Sequence, residues 1–218
     1  LLPRVAQVRN PRLCKALHTS LKERGAIIHE QEAVRNIVTK GGEFRGVQTG
    51  KGEYSAKIGV VATGAWASEL LPRVELFPVK GQMLLLRGKP GLLNRVLLRN
   101  GRYAIPRADG HILIGSTVEE SGFDTSVDAG VATLLKAEFS DAIPDLFNME
   151  QVQHWAGLRP ATQSGIPFVD EIDDIKGLYI NAGHYRNGVV AAPASAQLLT
   201  ALVTGQESEL AASDYALR

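Results

Sequence analysis

The sequence predicts a mixed α/β protein, an α/β domain interrupted by an inserted antiparallel block. Three observations carry this. The apolar run Ile58 to Ala62 leads into Thr63-Gly64-Ala65-Trp66. A second run, Leu178 to Ile180, leads through a glycine-bounded turn into a helical stretch. Unbroken apolar runs suit strands buried on both faces, so the two are expected together in one sheet. Between them, from Phe77 to Gly115, strand follows strand with turn signals at Gly88-Lys89-Pro90-Gly91, Asn100-Gly101 and Asp109-Gly110. That block, continued to about Gly157, is expected to form a separate sheet with a helix against it.

Taken in order, Asn10-Pro11 reads as a helix start, with a capping side chain followed by proline at the first helical position. Leu13, Leu17 and Leu21 recur at helical spacing until Gly25. Cys14 falls among these apolar positions and is expected in the core. Ala26 to His29 reads as a short strand. Val34 to Thr39 and Phe44 to Thr49 read as a hairpin across Gly41-Gly42. After Gly64 a short helix runs to near Pro72. Tyr103 to Arg107 and His111 to Gly115 pair across Ala108-Asp109-Gly110, and Asp128 caps a helix from Ala129 to about Phe139. Met149 to Gly157 is a strand, closed by Leu158-Arg159-Pro160. Ala191 to Thr204, with Leu198 and Leu202 one turn apart, is a helix stopped by Gly205.

Composition narrows the function. The 218 residues suffice for one large or two small domains. A hydrophobic share of 44% with 22% charged residues fits a globular protein. The net charge of +1 implies no nucleic-acid partner. One cysteine excludes an internal disulfide and points to a reducing, cytoplasmic setting. No stretch is long and apolar enough for a membrane span. The opening Leu1-Leu2-Pro3-Arg4, without an initiating Met, reads as that of a fragment or a processed chain.

The candidate chemistry is polar and sparse. The five histidines show no metal-ligand spacing, and no metal is expected. There is no Gly-x-Ser-x-Gly elbow and no Gly-x-Gly-x-x-Gly loop. Glu119-Glu120 and Asp173-Asp174 read as solvated loop charges. Gly183 and Gly188 bracket the turn His184-Tyr185-Arg186-Asn187, ahead of a small-residue helix. A helix start offers free N–H groups to an electron-rich ligand atom, although the same residues also read as an ordinary connection. Arg159, Arg186 and Tyr103 are two guanidiniums and a phenol of the kind that hold a small carboxylate. Arg159 reads equally as the ion-pair partner of an acid such as Asp170.

Four motifs in order, Val60-Val61-Ala62-Thr63-Gly64-Ala65-Trp66, Pro78-Val79-Lys80-Gly81-Gln82, Trp155-Ala156-Gly157-Leu158-Arg159-Pro160 and Gly183-His184-Tyr185-Arg186-Asn187-Gly188, resemble the FAD-dependent D-amino-acid oxidase and glycine oxidase family. The resemblance covers nearly the whole chain, but the family's Gly-rich pyrophosphate loop is not in it. It implies a two-domain flavoprotein oxidase fold. Residues 1–72 would belong to the FAD-binding domain with first pieces of the substrate domain, 73–158 to the antiparallel substrate domain, and 159–218 to the FAD-binding domain again. It implies that Arg159 grips the substrate carboxylate, with Arg186 and Tyr103 in the same pocket. The cofactor side would comprise Val34, Thr63, Gly64, Gly183, His184, Tyr185, Arg186, Asn187, Gly188, Val189 and Val190. One departure is Gly101, where relatives can carry a histidine. Arg102 beside it would add charge at the pocket mouth or face water.

The implied reaction is hydride transfer from a small amino acid or amine, such as glycine, to FAD. Oxygen is then reduced to peroxide, within thiamine biosynthesis. A dehydrogenase or demethylating enzyme with another acceptor is the alternative, as is a truncated chain inactive without its N-terminal segment. The chain alone is expected to hold FAD weakly, and a homo-oligomer is compatible with the resemblance.

Overall fold

The computed structural model describes residues 6–217, so the opening Leu1-Leu2-Pro3-Arg4 lies outside the described residues. Helix α1 (Asn10–Glu23) has Pro11 in its first turn, and Gly25 follows it at φ +83°. Arg9, and not Asn10, occupies the cap position, and no side chain caps the helix. No residue of α1 is buried, Leu17 and Leu21 are exposed, and so is Cys14, which corrects its expected core position. The reason is that no described element packs strongly on that leucine row.

Ala26 to His29 is irregular and not a strand, and Ile27 is 82% exposed. So short a segment needs a paired neighbour to persist. The hairpin is as expected: β1 (Val34–Lys40) pairs with β2 (Glu43–Thr49), and β3 (Glu53–Ser55) extends the sheet. Gly41 and Gly42 both take positive φ, which the tight turn requires. Strand β4 (Gly59–Val61) then runs into a 3-10 turn, Gly64–Trp66, and α2 (Ala67–Leu70).

The antiparallel block comprises β5 (Phe77–Arg87), β6 (Leu97–Arg99), β7 (Arg102–Pro106), β8 (His111–Gly115) and β9 (Glu150–Ala161), in spatial order β6-β7-β8-β5-β9. Strand β9 runs on through Leu158-Arg159-Pro160, which were expected to close it. The cause is β5, which pairs with it from Phe77↔Ala161 to Arg87↔Glu150. Helix α3 (Ala129–Ala137) starts where the Asp128 carboxylate accepts the Val131 N–H at 3.0 Å. One face of the sheet, with Leu84, Leu86, Ala104, Ile112 and Ile114, packs with Leu135, Phe139 and Leu146 into a dry core.

The chain then makes β10 (Phe168–Glu171) and β11 (Leu178–Ala182). Strand β11 pairs parallel to β4 and antiparallel to β10, so the two apolar runs share one sheet, separate from the block. Val61, Leu178, Ile180 and Ala182 pack there with Phe44, Val74 and Ile172. Helix α4 (Gly188–Thr204) buries Ser195, Leu198 and Ala201 and ends at Gly205 in the left-handed conformation. No helix among the described residues is long and apolar enough to cross a membrane.

Candidate functional site

The face of the block opposite its dry core carries the candidate residues. Side chains alternate along strands, so register fixes which share a face. Tyr103 pairs with Gly115, Gly115 with Met83, and Met83 with Trp155. The next row on that face is Gly81↔Gly157, and the next Val79↔Arg159. Tyr103 and Arg159 therefore stand on one face of one sheet, with a row bare of side chains between them. The Tyr103 hydroxyl lies 3.8 Å from Met83 Sδ.

Arg159 is half-buried, and its guanidinium crosses β5. It donates to Ser116 Oγ at 2.5 Å and to Thr117 O at 3.3 Å. Gly81 makes this crossing possible: a Cβ there would meet the guanidinium at 2.2–2.5 Å. Asp170 is not its partner, since that carboxylate accepts the Glu171 and Leu217 N–H groups. Among the described residues no carboxylate lies within ion-pairing distance of Arg159. A guanidinium has five N–H donors, and two are donated here, to uncharged oxygens.

The segment that receives Arg159 is fixed from behind. Buried Lys80 donates to Asp124 at 2.7 Å, which draws that carboxyl down to about 2. Buried Gln82 donates to Glu119 at 3.0 Å, and its side-chain oxygen accepts the Asp128 N–H at 3.0 Å. The Gln82 N–H donates to Thr117 Oγ1 at 2.8 Å. Glu119 is thus part of a network, not a solvated loop charge, and Asp174 pairs with Arg73. Lys80 and Gln82 face away from Arg159 and hold the Ser116–Asp124 stretch in place.

The turn after β11 is bound to this sheet. The Tyr185 N–H donates to Pro160 O at 2.8 Å, beside Arg159, and Arg186 donates to Gly101 O at 3.2 Å. Gly183 has φ +91°, and a Cβ there would stand 2.6 Å from Thr162 Cγ2, so only glycine fits this approach. The His184 ring is turned into α4, 2.8 Å from buried Ser195 Oγ, and burial pushes its pKa below the ordinary histidine value. Arg186 and Asn187 are exposed. The N–H groups of Gly188, Val189 and Val190 precede the first bond of α4, from Ala191 to Asn187 O at 2.8 Å. Val190 is 85% exposed.

Thr63 lies exposed at the end of β4, and Gly64 takes φ +59°. Val34 opens β1 on a different sheet, paired with Thr49. The loop before it is anchored by Glu32, which accepts from Thr49 Oγ1 at 2.7 Å and Tyr54 OH at 2.9 Å. Arg102 does not add free charge at a pocket mouth. It pairs with Glu138, which also receives Asn100 Nδ2 at 2.7 Å. Sequence reasoning did not single out Gly81, Gly157, Ser116 or Thr117. The two glycines sit in quoted motifs, and counting by twos from Arg159 reaches Gly157. Nothing in the sequence marks Ser116 and Thr117 as acceptors. Among the described residues no group of three His, Cys, Asp or Glu gathers as metal ligands.

A family model described as FAD dependent oxidoreductase matches residues 1–202. The chain is 45% identical over 217 residues to a glycine oxidase of Pseudomonas aeruginosa, covering 97% of this chain and 60% of that protein. It is 37% identical over 212 residues to the bifunctional protein ThiO/ThiG of Trichormus variabilis, covering 95% of this chain and 32% of that protein. It superposes on the crystal structure of glycine oxidase from Geobacillus kaustophilus with a TM-score of 0.88 at 32% identity, over 95% of this chain and 57% of that one. The chain therefore spans about 60% of the length of the curated glycine oxidase of P. aeruginosa.

Proposed function

The chain belongs to the FAD dependent oxidoreductase family, and from that premise we propose that it forms the substrate-holding and flavin-facing part of an enzyme that oxidises glycine or another small amino acid. The observation that carries this reading is Arg159: a half-buried cation beside a row of the sheet face bare of side chains, with no carboxylate partner among the described residues. A partly desolvated charge without a counter-ion favours an anion as its neighbour. A small carboxylate matches the planar fork.

In this reading Arg159 fixes the carboxylate and thereby orients the substrate's Cα. Tyr103 and Arg186 border the same space. The turn from Gly183 to Gly188 and the start of α4, with Val189 and Val190, would hold the redox end of FAD. Their backbone N–H groups and the helix dipole favour negative charge there. Thr63, Gly64 and Val34 are proposed as further contacts to the cofactor. The residues present fit that end: the N–H groups of Gly188, Val189 and Val190 precede the first bond of α4, and a Cβ on Gly64 would meet nothing within 4 Å. The pyrophosphate has no matching Gly-rich loop among these residues. When bound, FAD would supply a two-electron acceptor for the hydride leaving the substrate's Cα, which becomes an imine, with oxygen as the final acceptor in this reading. The domain limits 1–72, 73–158 and 159–218, and a place in thiamine biosynthesis, belong to the same proposal. The latter rests on the likeness to ThiO/ThiG.

The test uses the full-length, flavin-loaded enzyme. Glycine added without oxygen should bleach the flavin absorbance, and admitting air should restore it with stoichiometric peroxide. No bleaching by glycine or other small amino acids refutes the reading. Bleaching without peroxide in air assigns the electrons to another acceptor.

A further inference from the structure

We propose that the space left open by Gly157 receives the group a ligand carries next to the carboxylate held by Arg159. The inference rests on the carboxylate role given above to Arg159. Gly157 and Gly81 are cross-strand partners on the Arg159 face, yet their glycines have different reasons. The space over Gly81 is filled by the guanidinium, 2.2 Å from where a Cβ would stand. A Cβ on Gly157 would meet nothing within 4 Å. Gly157 is also absent from the positions with left-handed backbone, so an L-residue is sterically allowed.

Neither backbone nor packing therefore demands glycine at 157. A glycine inside a strand weakens it and often marks a bulge, a bend or a place where a ligand approaches closely, and the β5–β9 register has no irregularity at 157. The position of the empty space identifies that ligand. Both donations of the guanidinium run to Ser116 and Thr117, on the β8 side of β5. Strand β9, and Gly157 with it, lies on the other side of β5. The space over Gly157 adjoins the flank of the guanidinium that its protein partners leave open. A carboxylate gripped on that flank brings its next carbon over Gly157. Trp155 and Met83 form the next row on the same face. With glycine at 157 a branched group on that carbon fits; a side chain placed there competes with it.

The experiment compares Gly157→Ala and Gly157→Val with the parent in the full-length, flavin-loaded enzyme. Binding of acetate and of isobutyrate is followed by the perturbation of the flavin spectrum, so turnover is not needed. Flavin content should hold and thermal stability should stay level or rise, because alanine and valine suit a strand better than glycine. Gly157→Val should weaken isobutyrate by roughly tenfold or more, the scale of overpacking by a few methyl groups, and acetate by less than about threefold. Equal weakening of both probes, or of neither, overturns the inference. So does a loss of thermal stability that tracks the binding loss, which would make Gly157 structural. Arg159→Ala separates the two levels. Acetate binding that survives it overturns the carboxylate role and this inference with it. Lost acetate binding there, with unaltered size discrimination in Gly157→Val, overturns this inference alone.

Discussion

Replacing Arg159 by alanine tests the centre of the proposed site. In the structure the guanidinium makes two donations, to Ser116 Oγ and Thr117 O, and keeps further N–H groups for a ligand. Two charge-assisted hydrogen bonds to a substrate carboxylate contribute on the order of 3 kcal/mol or more. Since about 1.4 kcal/mol is tenfold, Arg159→Ala should lower kcat/KM for the amino acid by roughly a hundredfold or more. Arg159→Lys keeps the charge but loses the planar fork, so it should recover only part of this. The structural cost should be smaller. Ser116 is buried but hydroxyl-bearing, Thr117 O is a backbone acceptor, and truncation leaves room for water. About 1 kcal/mol, or roughly 2–4 °C in Tm for a chain of this size, is expected. The assay is steady-state kinetics at matched flavin occupancy on the amino acid and on the corresponding amine without a carboxylate. The amine should lose far less. Equal losses on both substrates would refute the carboxylate role and leave Arg159 as a brace for the 116–117 segment.

Gly81→Ala should fold, because the atoms its Cβ meets are the far end of a flexible side chain, but the displaced guanidinium should raise KM for carboxylate substrates by roughly tenfold or more, read by kinetics beside a thermal melt. Gly183→Ala combines positive φ with a contact at 2.6 Å and should destabilise by about 1–3 kcal/mol, read as a lower urea midpoint with unchanged slope. Asp124 has a folded-state pKa of about 2 against an ordinary 3.8, with Lys80 as its main partner. Its contribution is therefore present above about pH 4 and is lost as pH falls through 2. Asp124→Asn should lower Tm at pH 5 and converge with the parent near pH 2. A constant difference across that range would assign the loss to packing instead.

Much of the fold is legible in the sequence because it is local or periodic. The hairpins are set by Gly41-Gly42, Asn100-Gly101 and Asp109-Gly110, the start of α3 by Asp128 and the end of α4 by Gly205. The apolar runs Ile58 to Ala62 and Leu178 to Ile180 announced a shared sheet, although the cover expected on both faces is absent from β4 among the described residues, where Val60 is 44% exposed. Amphipathic spacing alone could not say whether a face is covered. The row of Leu17 and Leu21 predicted a core that no described element provides, and it took Cys14 with it. The same holds for Ala26 to His29, whose strand pattern has no neighbour.

At the site, composition and motif order picked out Arg159, Tyr103 and Arg186 as residue types suited to a carboxylate. Only tertiary pairing placed Arg159 and Tyr103 on one face, through the registers Tyr103↔Gly115↔Met83 and Val79↔Arg159. Only tertiary pairing decided between an ion pair with Asp170 and a cation with no carboxylate partner among the described residues, since that depends on which strand lies across from Arg159. The partner strand carries Gly81 at the decisive position, and the segment beyond it gives Arg159 the Ser116 and Thr117 oxygens while its Glu119 and Asp124 carboxylates are engaged by Gln82 and Lys80. A sequence can list the groups that chemistry needs. Register and crossing decide which charges meet, because electrostatics acts through distance in space and not along the chain.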